Sequence, residues 1–204
     1  APQPLQAGGY AKNIRNRNTQ AAIAAMGNSQ SRFPNRRVAN RSGTTNAANS
    51  ATMPALAIMK KGPVVVYFYP SAYTQGCNIQ AHSFAENIDK FHAAGATVVG
   101  VSLDSIARLN EFSADPEYCA GKLPVASDAK AEIARSYGLK IIDAFAGKQA
   151  VTMLDSRGKQ IGHEFTERVT FIVVPGSKIA HTIGGVSPEE NVKAALAAVQ
   201  ALKK

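Results

Sequence analysis

Cys77 is one of only two cysteines in 204 residues. An unbroken apolar run, Val64-Val65-Val66-Tyr67-Phe68, comes before it, and a stretch with helical spacing follows. The joining sequence, Tyr69 to Cys77, reads YPSAYTQGC. A buried strand ends and a helix begins at this cysteine. A helix N-terminus carries unpaired N–H groups and partial positive charge. A cysteine placed there has its pKa drawn below the free value of about 8.5, and the thiolate is the nucleophilic form. The position therefore suits a reactive sulfur; it also suits a small buried residue that fills a turn. Thr74, three positions earlier, brings a hydroxyl that both donates and accepts. Pro70 ends the strand rigidly and can shield one side of the sulfur. Thr74 stands where a Cys-x-x-Cys motif would need its other cysteine, so dithiol exchange within one motif is excluded.

The second cysteine, Cys119, lies 42 positions further on. Two cysteines make no disulfide framework; they are either unreactive or a redox pair. His82, His92, His163 and His181 show no metal-ligand spacing with each other or with cysteine. The glycines of AGGY at 7–10 follow no strand, so they form no phosphate loop. No metal and no cofactor are expected.

The elements that position these residues follow from the pattern. Val64–Tyr69 is β-branched and aromatic throughout and reads as a strand buried on both faces. Ile79, Phe84, Ile88 and Phe91 predict a helix over 77–94, ended by Gly95. ATVVGVSLD is a second buried strand, and 105–114 a helix opened by Ser105. LPVASD at 123–128 is a short strand or loop. AKAEIARSYGL is a helix capped by Asp128 and closed by Gly138. Val151–Leu154 and Gln160–His163 flank the turn DSRG as a hairpin. Strands 168–174 and 178–184 around PGS form another. Ser187 caps a terminal helix with Pro188 at its first position. Right-handed crossovers place Val64–Tyr69 and Thr97–Ser102 in one parallel sheet, with the late hairpin as antiparallel edge. The expected fold is α/β: a thioredoxin-like fold with a mixed central sheet flanked by helices.

The net charge of +9 is unevenly placed. Residues 1–52 hold Lys12, Arg15, Arg17, Arg32, Arg36, Arg37 and Arg41 and no acid, whereas 53–204 carry 16 basic and 14 acidic side chains. The chain divides into a basic N-terminal extension, 1–52, and a folded domain, 53–204. The extension lacks the large apolar residues of a core and reads as largely disordered, with a short helix near 19–26. Its composition suits a targeting segment, a tail for an anionic surface, or a solvated extension without catalytic consequence. One Tyr and one Phe among those residues argue against single-strand base stacking and against nucleic acid as partner. No apolar stretch approaches bilayer-spanning length.

The sequence FYPSAYTQGC resembles the Pro-x-x-x-Thr-x-x-Cys signature of peroxiredoxins, the thiol-specific antioxidant and alkyl hydroperoxide reductase family. The resemblance continues through GPVVVYFYP, KLPVASDAKAEIARSYGL and RVTFIVVPGSKIAHTIGG and covers about 60–204. It is strongest toward the bacterioferritin-comigratory, or Q-type, branch. It implies a thiol peroxidase acting on hydrogen peroxide or small organic hydroperoxides. Cys77 would be the peroxidatic cysteine that becomes a sulfenic acid. Thr74 would position the peroxide, Pro70 would shield the sulfur, and Arg168 would be the active-site arginine. In some Q-type relatives the resolving cysteine lies five residues after the peroxidatic one; here that position is His82. In others it lies in the third helix, a case that Cys119 resembles. The implied cycle closes a Cys77–Cys119 disulfide that thioredoxin reduces, in a monomer or homodimer. The alternative is a one-cysteine enzyme with an external thiol. Asn78 and Gln80 depart from the Thr and Glu usual in the family, and Gln80 loses a negative charge beside the arginine.

Two other classes stay open at this level. One is a redox sensor or chaperone that uses Cys77 oxidation as a switch. The other is a thioredoxin-like body carried on a basic binding tail. Localisation is open between bacterial cytoplasm, periplasm and an organelle.

Overall fold

The structure, a computed structural model, describes residues 62–145 and 152–203. In chain order the elements are Val64–Phe68 (β1), Gln75–Ala93 (α1), Thr97–Ser102 (β2), Ile106–Ala114 (α2), Val125–Ser127 (β3), Glu132–Ser136 (α3), Ile141–Ile142 (β4), Met153–Leu154 (β5), Gln160–Ile161 (β6), Phe165–Thr166 (β7), Val169–Val174 (β8), Lys178–Gly184 (β9) and Pro188–Ala201 (α4). The main sheet runs β3-β2-β1-β8-β9. β1 sits at its centre with all five residues buried, as its uninterrupted apolar run requires. β2 pairs with β1 in parallel, Val64 opposite Thr97. β8 pairs with it antiparallel, Val66 opposite Phe171. This is the mixed, thioredoxin-type α/β sheet that the element order predicts.

Strand alternation gives the sheet two cores. Val65, Tyr67 and Tyr69 face α1, α2 and α4, among Phe84, Phe91, Phe112 and Val199. Val66 and Phe68 face α3, among Ile133, Tyr137 and Phe171. Tyr67 explains the one glycine inside β2. A Cβ on Gly100 would lie 2.6 Å from the Tyr67 ring, and that ring stacks on Phe84 with centroids 4.5 Å apart. Only a glycine lets the aromatic lie against the neighbouring strand.

Several boundaries differ from the sequence reading. The first helix begins at Gln75, not at 77, because Thr74 is extended and its carbonyl accepts from Asn78 N–H at 2.8 Å. The helix expected over AKAEIARSYGL shortens to Glu132–Ser136. Asp128 does cap it, through Ile133 N–H and Ala134 N–H at 3.1 and 2.8 Å. Ala131, left-handed at φ +56°, breaks the run in between. Cys119 lies in a turn after α2 rather than in a helix. The β4–β7 pair went unread because two-residue strands show no periodicity. The expected extension 1–52, its short helix near 19–26 and the boundary at 52/53 all lie outside the described residues. Among the described residues no helix is long and apolar enough to cross a membrane.

Candidate active site

The loop from Pro70 to Thr74 joins β1 to α1, and its geometry decides where Cys77 points. Thr74 is the N-cap of α1, so Cys77 is the third residue of that helix, in its first turn. Cys77 is 1% exposed. Thr74 Oγ1 donates to the Ser71 carbonyl at 2.9 Å and does not cap the helix. Its lone pairs stay available. Pro70 is half-buried at the end of β1.

Arg168, one residue before β8, reaches this turn because β8 runs antiparallel beside β1. Its Nη2 lies 3.4 Å from Cys77 Sγ. Its Nη1 donates to Gln80 Oε1, one turn further along α1. The two ends of one guanidinium thus hold the sulfur and the helix. Gln80, read as a departure that lost a charge, keeps the hydrogen bond. The structure therefore brings Cys77, Thr74, Pro70 and Arg168 to one end of β1. Cys119 packs in the same apolar cluster as Cys77, and both thiols are free. Burial, then the nearby Asp115 carboxylate, pushes the Cys119 thiol up to about 12.

Gly76 is a site residue that the sequence reading passed over. A Cβ there would lie 3.1 Å from Arg168 Nη2. The sequence reading began the helix at 77 and left Gly76 in the loop; the structure makes it the second residue of α1, where a glycine costs helix stability. Gly76→Ala is expected to hold or raise stability, by up to about 1 kcal/mol. If Cys77 reacts with peroxide as the resemblance implies, the variant should slow that reaction several-fold, on the order of 5, because the guanidinium must withdraw by a few tenths of an ångström. Urea unfolding and stopped-flow oxidation of one preparation measure both. An alanine variant as fast as wild type would show that the arginine tolerates displacement.

A buried polar network fixes the loop from behind. Asp104, fully buried, accepts from Ser71 Oγ at 2.9 Å, Ala72 N–H at 2.8 Å and Ser102 Oγ at 2.7 Å. His163 Nε2 lies 2.8 Å from its Oδ1. Arg108 Nε lies 2.9 Å from the same oxygen but off hydrogen-bond alignment, so this contact is coulombic. Arg108 Nη2 also donates to the Ala72 carbonyl and meets Asp155 Oδ2, each at 2.8 Å. From the other side the β5–β6 turn clamps Tyr73. Ser156 N–H donates to the Tyr73 carbonyl at 2.8 Å, and Arg157 lies over its ring. Tyr73 is left-handed at φ +61°.

His163 makes the network pH-sensitive. Its Nδ1 lies 2.7 Å from the Glu164 carbonyl and its Nε2 faces a carboxylate. Both partners only accept, so both bonds form together in the imidazolium. Burial pushes the imidazole pKa down, but the Asp104 hydrogen bond and charge outweigh it and raise the value. Burial likewise pushes Asp104 up, while His163, Ala72 N–H and Ser102 hold it below the usual carboxylate range. A lowered acid gives stability that is present above its unfolded pKa and lost as pH falls through the folded one. A raised histidine gives stability that is complete below its unfolded pKa and lost as pH rises through the folded one. The pair is therefore at full strength between roughly pH 4 and 6.5. The urea midpoint should fall as pH rises above that window, and His163→Gln should flatten the fall. An equal slope in both proteins would remove His163 as the cause.

The AhpC/TSA family model matches residues 34–182. The chain belongs to the AhpC/TSA family. The match begins inside the basic segment 1–52, further upstream than the resemblance read from the sequence. This AhpC/TSA protein is 37% identical over 108 residues to peroxiredoxin Q, chloroplastic, of Oryza sativa subsp. japonica, across 51% of its own length and 47% of the relative's. It is 30% identical over 118 residues to peroxiredoxin Bcp of Escherichia coli K12, across 58% and 65%. The chain thus spans about half to two thirds of the length of these curated relatives. Among solved structures it resembles peroxidoxin BcpB of Mycobacterium tuberculosis, with a TM-score of 0.59 at 25% identity, over 73% of this chain and 85% of that one. It also resembles the Xanthomonas campestris bacterioferritin comigratory protein, described in connection with alkyl peroxide reduction, with a TM-score of 0.57 at 28% identity, over 75% and 85%. Family and branch agree with the sequence reading, and the relatives include chloroplast and bacterial proteins.

Proposed function

We propose that the protein is a thiol peroxidase that reduces hydrogen peroxide and small organic hydroperoxides at Cys77. The observation that carries this reading is the Arg168 guanidinium 3.4 Å from a sulfur held in the first turn of a helix. The Cys77 thiolate attacks the terminal peroxide oxygen. An S–O bond forms, the O–O bond breaks, and the leaving alkoxide or hydroxide takes a proton. Sulfur loses two electrons and the peroxide gains them, giving a sulfenic acid and an alcohol or water. Arg168 faces the charge that develops on the oxygens. Thr74 Oγ1, its proton engaged with Ser71, accepts from the protonated peroxide oxygen.

Cys119 then attacks the sulfenic sulfur, a disulfide forms, and water leaves. A thioredoxin-type dithiol returns both thiols. Cys119 does not ionise while buried, so the turn that carries it must first open, together with the first turn of α1.

Mass-spectrometric thiol counting after one equivalent of hydrogen peroxide tests the cycle. The wild type is expected to lose both thiols to one disulfide, and Cys119→Ser to stop at a sulfenic acid on Cys77. If Cys77 oxidises while Cys119 stays free, the enzyme works with one cysteine and an outside thiol. A Cys77 no faster than a free cysteine sinks the peroxidase reading. Rapid oxidation without steady-state turnover on thioredoxin would favour a redox sensor.

A further inference from the structure

Behind Arg168 runs a chain of buried amides that the chemistry above does not use. Gln80 Nε2 donates to Asn191 Oδ1 at 2.9 Å. Thr170 Oγ1 donates to the same oxygen at 2.5 Å. Asn191 Nδ2 donates to the Ile183 carbonyl at 3.2 Å. Gln80, Thr170 and Asn191 are all fully buried, and they come from α1, β8 and α4.

The order of donors and acceptors in this chain is not free. The Ile183 carbonyl only accepts, so it takes the Asn191 amide nitrogen. Asn191 must then turn its oxygen to Thr170 and Gln80. Gln80 must answer with its nitrogen, which leaves its own oxygen facing Arg168 Nη1. Reversing either amide would set donor against donor at the guanidinium or acceptor against acceptor at Ile183. A backbone carbonyl on β9 therefore fixes, through two amides, which atom of Gln80 meets the arginine. A carboxylate at position 80 would need no such help, since both of its oxygens accept.

The start of α4 sets where Asn191 stands. Ser187 Oγ accepts from Glu190 N–H at 3.2 Å, and the Glu190 carboxylate accepts from Ser187 N–H at 3.1 Å. This capping box pins the first turn. Asn191 N–H closes that turn on the Ser187 carbonyl at 2.9 Å.

We infer that Asn191 is a positioning residue for peroxide reduction: it locks the Gln80 amide so that its oxygen holds Arg168 against Cys77. The inference rests on the peroxidase reading. It differs from a packing role in what it moves. A misaimed guanidinium slows the step in which charge develops on the peroxide oxygens. Alkylation of the same thiolate by a neutral reagent has no such requirement once both rates are expressed per thiolate.

The test compares two rate constants for Cys77 in each protein, with hydrogen peroxide and with iodoacetamide, on a Cys119→Ser background. Asn191→Ala is expected to lower the peroxide rate about tenfold or more while the alkylation rate changes by less than about threefold. Asn191→Ser, a milder truncation, runs beside it and should show the same selective loss. The pair Gln80→Glu with Asn191→Ala should recover most of the peroxide rate, because the carboxylate accepts whichever way it turns. Equal loss of both rates, no loss of either, or no recovery in the double variant would overturn the inference. A parent protein already slow toward peroxide would instead remove the peroxidase reading beneath it.

Discussion

Arg168→Met is expected to lower the second-order rate constant of Cys77 with hydrogen peroxide by about 10²- to 10³-fold. Methionine keeps the apolar stem and the volume, so the change isolates the guanidinium. That group has two ends in use, one on Gln80 and one 3.4 Å from the sulfur. On the proposed mechanism, removing it takes away the positive charge that the breaking O–O bond meets. Arg168→Lys should recover only a small part of the loss. A lysine ammonium is a point charge on a flexible stem and cannot span two partners as a planar fork does. Stopped-flow oxidation on a Cys119→Ser background gives the number, with alkylation by iodoacetamide as control. A methionine variant within about threefold of wild type would show that the arginine does not enter the rate-determining step, since a single donor of this kind is normally worth far more.

Asp104→Ala should cost about 3–5 kcal/mol of stability, the range for breaking a buried charge network from one side. Four hydrogen bonds, the one from His163 among them, and the Arg108 charge contact converge on this carboxylate. Its loss leaves the Ser71 and Ser102 hydroxyls and Ala72 N–H without their acceptor. Arg108 keeps Asp155 at 2.8 Å, which holds the cost below that of a wholly unpaired ion. Asp104→Asn, which keeps an acceptor oxygen but not the charge, should fall between the two. Urea unfolding at pH 6, inside the window where the His163 pair is complete, is the measurement. A loss under about 1 kcal/mol would mean that the loop is held without Asp104.

These two residues mark how far the sequence could be read. That Arg168 lies beside Cys77 was expected because a family pattern names an arginine at the start of that strand. Residue type alone would more often place it in solvent. Cys77, Thr74 and Pro70 were legible because a strand-to-helix junction has a strong local signature. β1 was legible because a continuous β-branched run has few other homes. Asp104, His163 and Arg108 were not legible. Asp104 and His163 meet across 59 positions of chain, where no periodicity marks a polar contact made in space. Arg108 is only four residues from Asp104, but Asp104 lies before the helix that carries Arg108, so no helical pairing announced it. Asn191 was hidden in the same way, 111 positions from the amide that it touches. α3 was overread because its composition favoured helix, while Ala131 took a left-handed conformation that only the closing of the loop onto Asp128 explains. Cys119 was placed in a helix because the resemblance was followed further than the local residues allow: Asp115-Pro116 stops α2 just before it.

The Tyr73 ring meets Tyr118 edge-on with centroids 5.8 Å apart, and Tyr118 immediately precedes Cys119. Phe112 touches both rings. On the proposed cycle this aromatic triplet acts as a timer. Cys119 stays sealed until Tyr118 parts from Tyr73, and for that interval the sulfenic acid on Cys77 waits with no internal partner. A second peroxide molecule arriving meanwhile carries it on to sulfinic acid, which thiols do not reverse. On that cycle these ring contacts, with the His82 contact to the Glu117 carbonyl, would help set the peroxide concentration at which turnover gives way to self-inactivation. Loosening them, as Tyr118→Ala would, trades stability of the closed form for endurance under oxidant.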